Sequence, residues 1–150
     1  MPEQLTTVLS GSFKYKPEID KVNNTFTELG VDVLEPAKGW LMLPPKFITG
    51  DWRPLPGPEE HLASIVEIEK RFIRALSRSS FVYICNFDGY IGTSTGLEIG
   101  YALGWQKPMF SIEPFKTTDE LGDSLEYVAS FIEHASPEDV VEIIRAQSSS

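Results

Sequence analysis

The sequence predicts an α/β domain built on a parallel sheet of about five strands, with helices covering both faces in three layers. Three observations predict it. Apolar runs of strand length alternate with segments of helical periodicity along the chain. The run Phe81–Cys85 (FVYIC) is continuously apolar, as in a central strand buried on both faces. The first and third predicted strands lead into glycine-containing turns, Ser10-Gly11-Ser12 and Asp88–Gly96, at the sheet edge where ligands bind open α/β folds.

Leu5–Leu9 (LTTVL) is β-branched and apolar, a strand that stops at the first glycine turn. In Pro17–Leu29, Ile19, Val22, Phe26 and Leu29 recur at spacings of three, four and three, a helix ending at Gly30. Val31–Leu34 (VDVL) reads as a short second strand, stopped by Pro36. Residues 36–58 are rich in proline and glycine yet carry Trp40, Phe47 and Trp52; a loop this long in a compact domain is usually functional, often a lid.

Glu59–Arg78 returns to helical spacing through Leu62, Ile65, Ile68 or Glu69, Phe72 and Leu76, with basic residues at the end that suits the helix dipole. After Phe81–Cys85 and its loop, a helix is predicted from about Thr95 to Trp105, then a strand over Pro108–Ile112, and Glu126–Ile132 reads as a fifth strand in preference to a helix. Ser136-Pro137-Glu138-Asp139 places an N-cap before a proline at the first helical position, opening a last helix that runs to Ala146. With no internal repeat and no linker, residues 1–147 are expected to form one domain and 148–150 a disordered tail.

Composition narrows the partners. The 150 residues are 41% hydrophobic and 23% charged, within the soluble globular range. No apolar run approaches the ~20 residues that span a bilayer, and no basic segment precedes the apolar start, so neither a membrane span nor a signal peptide is expected. The single cysteine, Cys85, excludes an internal disulfide and fits a cytoplasmic setting. A net charge of −9 repels nucleic acid and anionic lipid, whereas a small anionic ligand can still be held by local backbone amides. His61 and His134 lack ligand spacing, so no metal or other cofactor is expected.

Residues 88–102 read DGYIGTSTGLEIGYA, with one glutamate among small and apolar residues. Glycines admit a ligand close to the backbone, and Thr93, Ser94 and Thr95 offer hydroxyls. Glu98 is expected in the first turn of the following helix, where the dipole would keep it ionised, the state a nucleophile on a sugar carbon requires. The plainer alternative is a glutamate serving only the dipole, or a capping box with Thr95. Tyr101, three residues on, is placed either to orient that carboxylate or to pack. Trp40, Phe47 and Trp52 suit either a stacking platform for a base or a small cluster tying their own loop down. Trp105 and Cys85 read as core.

Residues 79–112, SSFVYICNFDGYIGTSTGLEIGYALGWQKPMFSI, resemble the core signature of the nucleoside 2-deoxyribosyltransferase superfamily. The likeness lies in an apolar strand, a glycine-containing segment, Glu-Ile-Gly-Tyr-Ala, and a Lys-Pro before the next strand. VLSGSF, residues 8–13, is similar to that family's first strand and turn, especially in the 2′-deoxynucleoside 5′-phosphate N-hydrolase branch. The resemblance implies a flavodoxin-like, Rossmann-like three-layer fold and cleavage of the N-glycosidic bond of a nucleoside or nucleotide, usually in a homo-oligomer. It assigns Glu98 as the nucleophile that forms a glycosyl-enzyme, and Tyr101 as part of the same pattern.

By the same resemblance Ser10, Gly11, Ser12, Gly92, Ser94 and Thr95 would hold the sugar 5′ end or its phosphate; Lys14 either adds charge there or is a solvated surface lysine, and Trp40 and Trp52 are the aromatic residues that would meet the base if their loop is a stacking platform. Two family aspartates are missing: their places hold Phe72 and Gly92. Asp88, ahead of Glu69, is then the expected acid for the leaving base. Two alternatives stand beside this reading. One is a cytokinin-type phosphoribohydrolase, whose Gly-Gly-x-Gly-Thr-x-x-Glu pattern Gly92-Thr93 and Glu98 follow only loosely. The other is a non-catalytic nucleotide-binding module, favoured by the missing aspartates.

Overall fold

The computed structural model of the chain describes residues 4–12, 15–34, 60–115 and 130–148. The segment bearing Trp40, Phe47 and Trp52 lies outside these residues, as does Lys14. The elements are β1 (Thr6–Gly11), α1 (Lys16–Glu28), β2 (Asp32–Val33), α2 (Glu60–Arg78) and β3 (Phe81–Cys85). A short 3-10 turn (Phe87–Gly89) follows, then α3 (Thr93–Gly104), β4 (Met109–Ser111), β5 (Ile132–His134) and α4 (Pro137–Ser148).

The five strands form one all-parallel sheet in the order β2-β1-β3-β4-β5. That order makes the architecture flavodoxin-like, with the switch point between β1 and β3. In register, Ser10 faces Ile84 and Gly11 faces Cys85, so the C-terminal ends of these two strands lie side by side.

Alternate residues of β3 feed different apolar clusters, because successive side chains of a strand leave on opposite faces. Phe81, Tyr83 and Cys85 join Ile19, Val22 and Phe26 of α1 and Val140, Val141 and Ile144 of α4. Val82 and Ile84 join Phe72, Ala75 and Leu76 of α2 and Ala102 of α3. Each large apolar side chain buried this way contributes about 1.5–3 kcal/mol. Phe26 meets Tyr83 edge-on at 5.0 Å, and the buried Tyr83 hydroxyl donates to the Ala135 carbonyl at 2.8 Å, so its polar tip is satisfied. Burial pushes the Cys85 thiol well above its ordinary range, leaving it an inert core residue.

Helix ends follow local chemistry. Gly30 takes a left-handed φ of 84° after α1, letting the Val31 amide reach back to the Phe26 carbonyl at 3.0 Å. The Arg145 guanidinium adds a bond to the Leu29 carbonyl at 3.2 Å, tying α4 to that end of α1. Lys16 and Asp20 pair across one turn at 2.5 Å in the first half of α1.

Four expectations need correction. α3 begins at Thr93, with Gly92 as its N-cap and no side-chain cap bond, so Thr95 is a buried helical residue instead of the first one. Trp105 is the C-cap of α3 and is 45% exposed, because the inward face of the helix runs through Thr95, Glu98 and Ala102 and has ended before it. The last strand is Ile132–His134. Only Ile132 of it is buried, and parallel pairing with Met109–Ser111, not apolar content, makes it a strand. Ser148, expected in a disordered tail, is the final residue of α4.

Candidate functional site

The last residues of β1 and the second turn of α3 converge beside the switch point. Ser10 is fully buried and its hydroxyl donates to Glu98 Oε1 at 2.5 Å. The two residues are 88 apart in sequence, so this bond fastens α3 to the sheet. Gly11 is required at the end of β1: a Cβ there would stand 3.0 Å from Ile19 Cδ1 and 3.1 Å from both the Cβ and the carbonyl of Cys85.

Glu98 is only 5% exposed. Burial, and after it the negative charge of Glu69, push its carboxyl well above the ordinary glutamate range. The Ser10 hydroxyl opposes this by bonding the charged form, and a hydrogen bond with Glu69 adds to the rise by favouring the protonated form. The expected dipole-stabilised, low-lying carboxylate is therefore overturned. The macrodipole acts mainly within the first turn, and a helix that starts at Thr93 carries Glu98 beyond it into a dry environment.

Glu69 belongs to α2, which packs on β1 and α3. Its Oε1 is buried and has no hydrogen-bond partner among the described residues. An orphaned buried acceptor costs about 1–3 kcal/mol, a cost that a proton shared with the neighbouring Glu98 carboxyl removes. The carboxyl pair and Ser10 form a polar nucleus inside an apolar shell of Val8, Phe72, Ile84 and Ala102. Two carboxyls and a hydroxyl so arranged can hold one proton between them and pass it on. That capacity suits paired general-acid and nucleophilic work on an acetal-type carbon.

The structure places the other residues as follows. Asp88 is exposed, sits at a left-handed φ of 57° in the 3-10 turn, and accepts a bond from the Tyr15 hydroxyl at 3.2 Å. The Tyr15 ring lies 5.7 Å from Phe87 and 6.3 Å from Tyr90, which makes an aromatic rim over the same turn. Asn86 anchors that turn from below, exchanging two bonds with the Glu113 backbone at 3.0 and 3.1 Å. The Ser12 carbonyl accepts from the Tyr15 amide at 2.9 Å, so the first glycine turn leads directly into this rim. Gly92 opens α3, with its carbonyl bonded to the Gly96 amide at 3.0 Å, and Ser94 lies in the first turn of that helix.

Tyr101 is 40% exposed and its ring packs 5.5 Å from Trp105. The two, with Leu97, Gly100 and Gly104, line a shallow groove of about 420 Å³ on the outer side of α3. The carboxyl of Glu98 is instead held by Ser10 and Glu69 on the inner side. His134 is exposed, its Nε2 lying 3.2 Å from the Ile112 carbonyl. Among the described residues no cluster of three His, Cys, Asp or Glu side chains stands ready to hold a metal.

Two participants carried weaker sequence signals. Glu69 falls on the stripe Glu69, Phe72, Leu76, so a charged residue on the apolar face of α2 was the clue to a polar partner inside. Tyr15 stands three residues beyond Ser12 with no pattern that links it to Asp88. No family model matches the chain, and no curated protein matches it either.

Proposed function

We propose that the protein cleaves the N-glycosidic bond of a nucleoside or nucleoside 5′-monophosphate, with Glu98 attacking the anomeric carbon and the (deoxy)ribosyl group passing to water or to another base. One observation carries this reading: a lone glutamate of the glycine-rich segment is drawn inward beside the switch point and bonded by Ser10 at 2.5 Å. The resemblance of residues 79–112 to the deoxyribosyltransferase signature supports it. A fixed carboxylate in a dry site is a competent nucleophile on an electrophilic sugar carbon, and two successive displacements retain configuration.

As the resemblance implies, Ser12, Gly92 and Ser94 would hold the sugar's 5′ substituent, with backbone amides at the start of α3 favouring an anion. The protein would act in the cytoplasm on a small molecule, without nucleic acid or membrane; no helix among the described residues is long and apolar enough to cross a bilayer. A homo-oligomer would assemble through the outer face of α3, where Leu97, Tyr101 and Trp105 are exposed and no charged side chain stands. The deciding experiment incubates natural nucleosides and 5′-monophosphates with the protein and with Glu98→Gln, and separates the released base by chromatography. Base release by the first and not the second is expected; equal release by both defeats the proposal.

A second reading rests on the raised Glu98 carboxyl itself. A group held protonated between Ser10 and Glu69 is also what a binding module would bury for rigidity. Calorimetric binding of a nucleotide, with no base released over long incubation, favours this alternative.

A further inference from the structure

The turn after β3 is held in one shape by its neighbours. Asn86, buried at its base, exchanges two hydrogen bonds with the Glu113 backbone at 3.0 and 3.1 Å. Asp88 and Gly89 follow with left-handed φ values of 57° and 74°, a conformation that a residue with a Cβ adopts at a cost. The Tyr15 hydroxyl donates to Asp88 Oδ2 at 3.2 Å, and the Tyr15 ring lies 6.3 Å from that of Tyr90. Tyr90 in turn rests against the N-cap of α3: from the place a Cβ would take on Gly92, its Cε1 and hydroxyl oxygen each stand 3.6 Å away. An exposed carboxylate and a half-exposed aromatic ring are thus linked, through Tyr15, at the end of the sheet where α3 begins.

This placement bears on the charge a ligand can carry. Ligands of open α/β folds bind beyond the strand ends, and the amides of a helix N-terminus draw an anion there. In this chain an aromatic ring flanks those amides, and a carboxylate precedes the ring by two residues. No lysine or arginine occurs from Asn86 to Gly104. Among the described residues, the cation nearest in the chain to the first glycine turn is Lys16, which is paired with Asp20. A phosphate brought to this turn meets a like charge and no cation of the same segment, whereas a hydroxyl meets no such opposition. Resting on the glycosidic reading above, we propose that Asp88 and Tyr90 select the substrate by charge and size, admitting nucleosides with a free 5′-hydroxyl and turning away their 5′-monophosphates. The Tyr90 ring narrows the approach to the α3 amides, and the Asp88 carboxylate repels the phosphate. Asp88, expected from the sequence to serve in proton transfer, acts here in substrate choice.

The test compares ribo- and 2′-deoxynucleosides with their own 5′-monophosphates, pair by pair, by calorimetric binding and by kcat/KM for base release. The unmodified protein is expected to favour the nucleoside of each pair by about fivefold or more. Asp88→Asn keeps the size of the side chain, its tolerance of the left-handed backbone and an acceptor for Tyr15, but removes the charge. It is expected to improve the monophosphate by about 3- to 30-fold and to leave the nucleoside nearly unchanged. Tyr90→Ala is expected to improve the monophosphate as well, and Tyr90→Phe to leave the discrimination intact, because the ring and not its hydroxyl narrows the approach. Raising the salt from about 0.05 to 0.5 M should shrink the difference in the unmodified protein and not in Asp88→Asn. This salt readout needs no substitution in the parent. Equal affinity for both members of a pair, or a preference for the monophosphate, overturns the proposal. So does an equal change in both members on substitution, or a loss of the monophosphate alone in Tyr90→Phe, which would make the hydroxyl a phosphate ligand. Discrimination in binding without base release from any compound removes the glycosidic reading and leaves the charge filter; neither binding nor release removes both.

Discussion

The Ser10 hydroxyl donates to Glu98 Oε1 across 2.5 Å inside the protein, joining the end of the first strand to the second turn of α3. Among the described residues this is the one influence on Glu98 that favours its charge. Burial, the Glu69 charge and the Glu69 hydrogen bond all act the other way. Ser10 is thus less a contact for substrate than a brace for the ionised glutamate.

Ser10→Ala removes that brace. A hydrogen bond to a charged group contributes about 1.5–3 kcal/mol, so kcat/KM should fall by about 10- to 100-fold. Because the charged form of Glu98 loses its donor, the rising limb of the pH–rate profile should move to higher pH. A loss of rate with an unshifted profile would show that Ser10 acts on something other than this carboxyl.

Glu98→Gln should abolish base release, on the order of 10³-fold or more, and also change stability in a direction set by the raised carboxyl. A group whose folded value lies above its unfolded value binds its proton more tightly when folded. Its contribution is therefore full below the unfolded glutamate range and is lost as pH rises toward the folded value. At neutral pH the native glutamate is a burden that glutamine does not carry. The melting temperature of Glu98→Gln relative to the parent should rise between pH 5 and pH 8; a difference that shrinks over this range refutes the assignment.

How much of this was legible beforehand depends on range in sequence. FVYIC declared a central strand because burial on both faces leaves no polar position, and β3 spans those same residues. Ile19, Val22 and Phe26 declared α1 because their spacing is intrinsic to one helix. The inward turn of Glu98 depended on where α3 begins, and Gly92 in place of a hydroxyl cap shifted that start to Thr93. Glu69 looked like one of two choices at its helical position, and only the packing of α2 against α3 brings it to Glu98. Ile132–His134 carries two exposed polar residues, so its strand character resides in backbone pairing to β4 and leaves little trace in composition.

Gly11→Ala tests the close approach of β1 and β3 beneath the site. The added Cβ would stand 3.0–3.1 Å from Ile19 and from backbone and side chain of Cys85, and the Cys85 carbonyl cannot swing aside as a flexible side chain would. Overpacking of this kind costs about 1–3 kcal/mol. For a chain of this length that lowers the melting temperature by roughly 2–12 °C. A variant as stable as the parent would show that the strand ends separate freely, and the immobility of Ser10 would then need another source.

The outer face of α3 makes the last prediction. Gly96, Gly100 and Gly104 recur one turn apart, and a Cβ at any of them would meet nothing within 4 Å, so a neighbouring surface can approach the helix backbone closely. Leu97, Tyr101, Leu103 and Trp105 are each at least 40% exposed around that stripe. The one charged residue of α3, Glu98, is turned inward, so two copies of a chain with net charge −9 can meet here without opposing like charges at the contact. Trp105→Glu places a carboxylate in the groove and should convert an oligomer into a monomer by light scattering, without lowering the melting temperature of the isolated chain. A parent protein that is already monomeric at high micromolar concentration would remove assembly from the proposal and leave the carboxyl pair as a site complete within one chain.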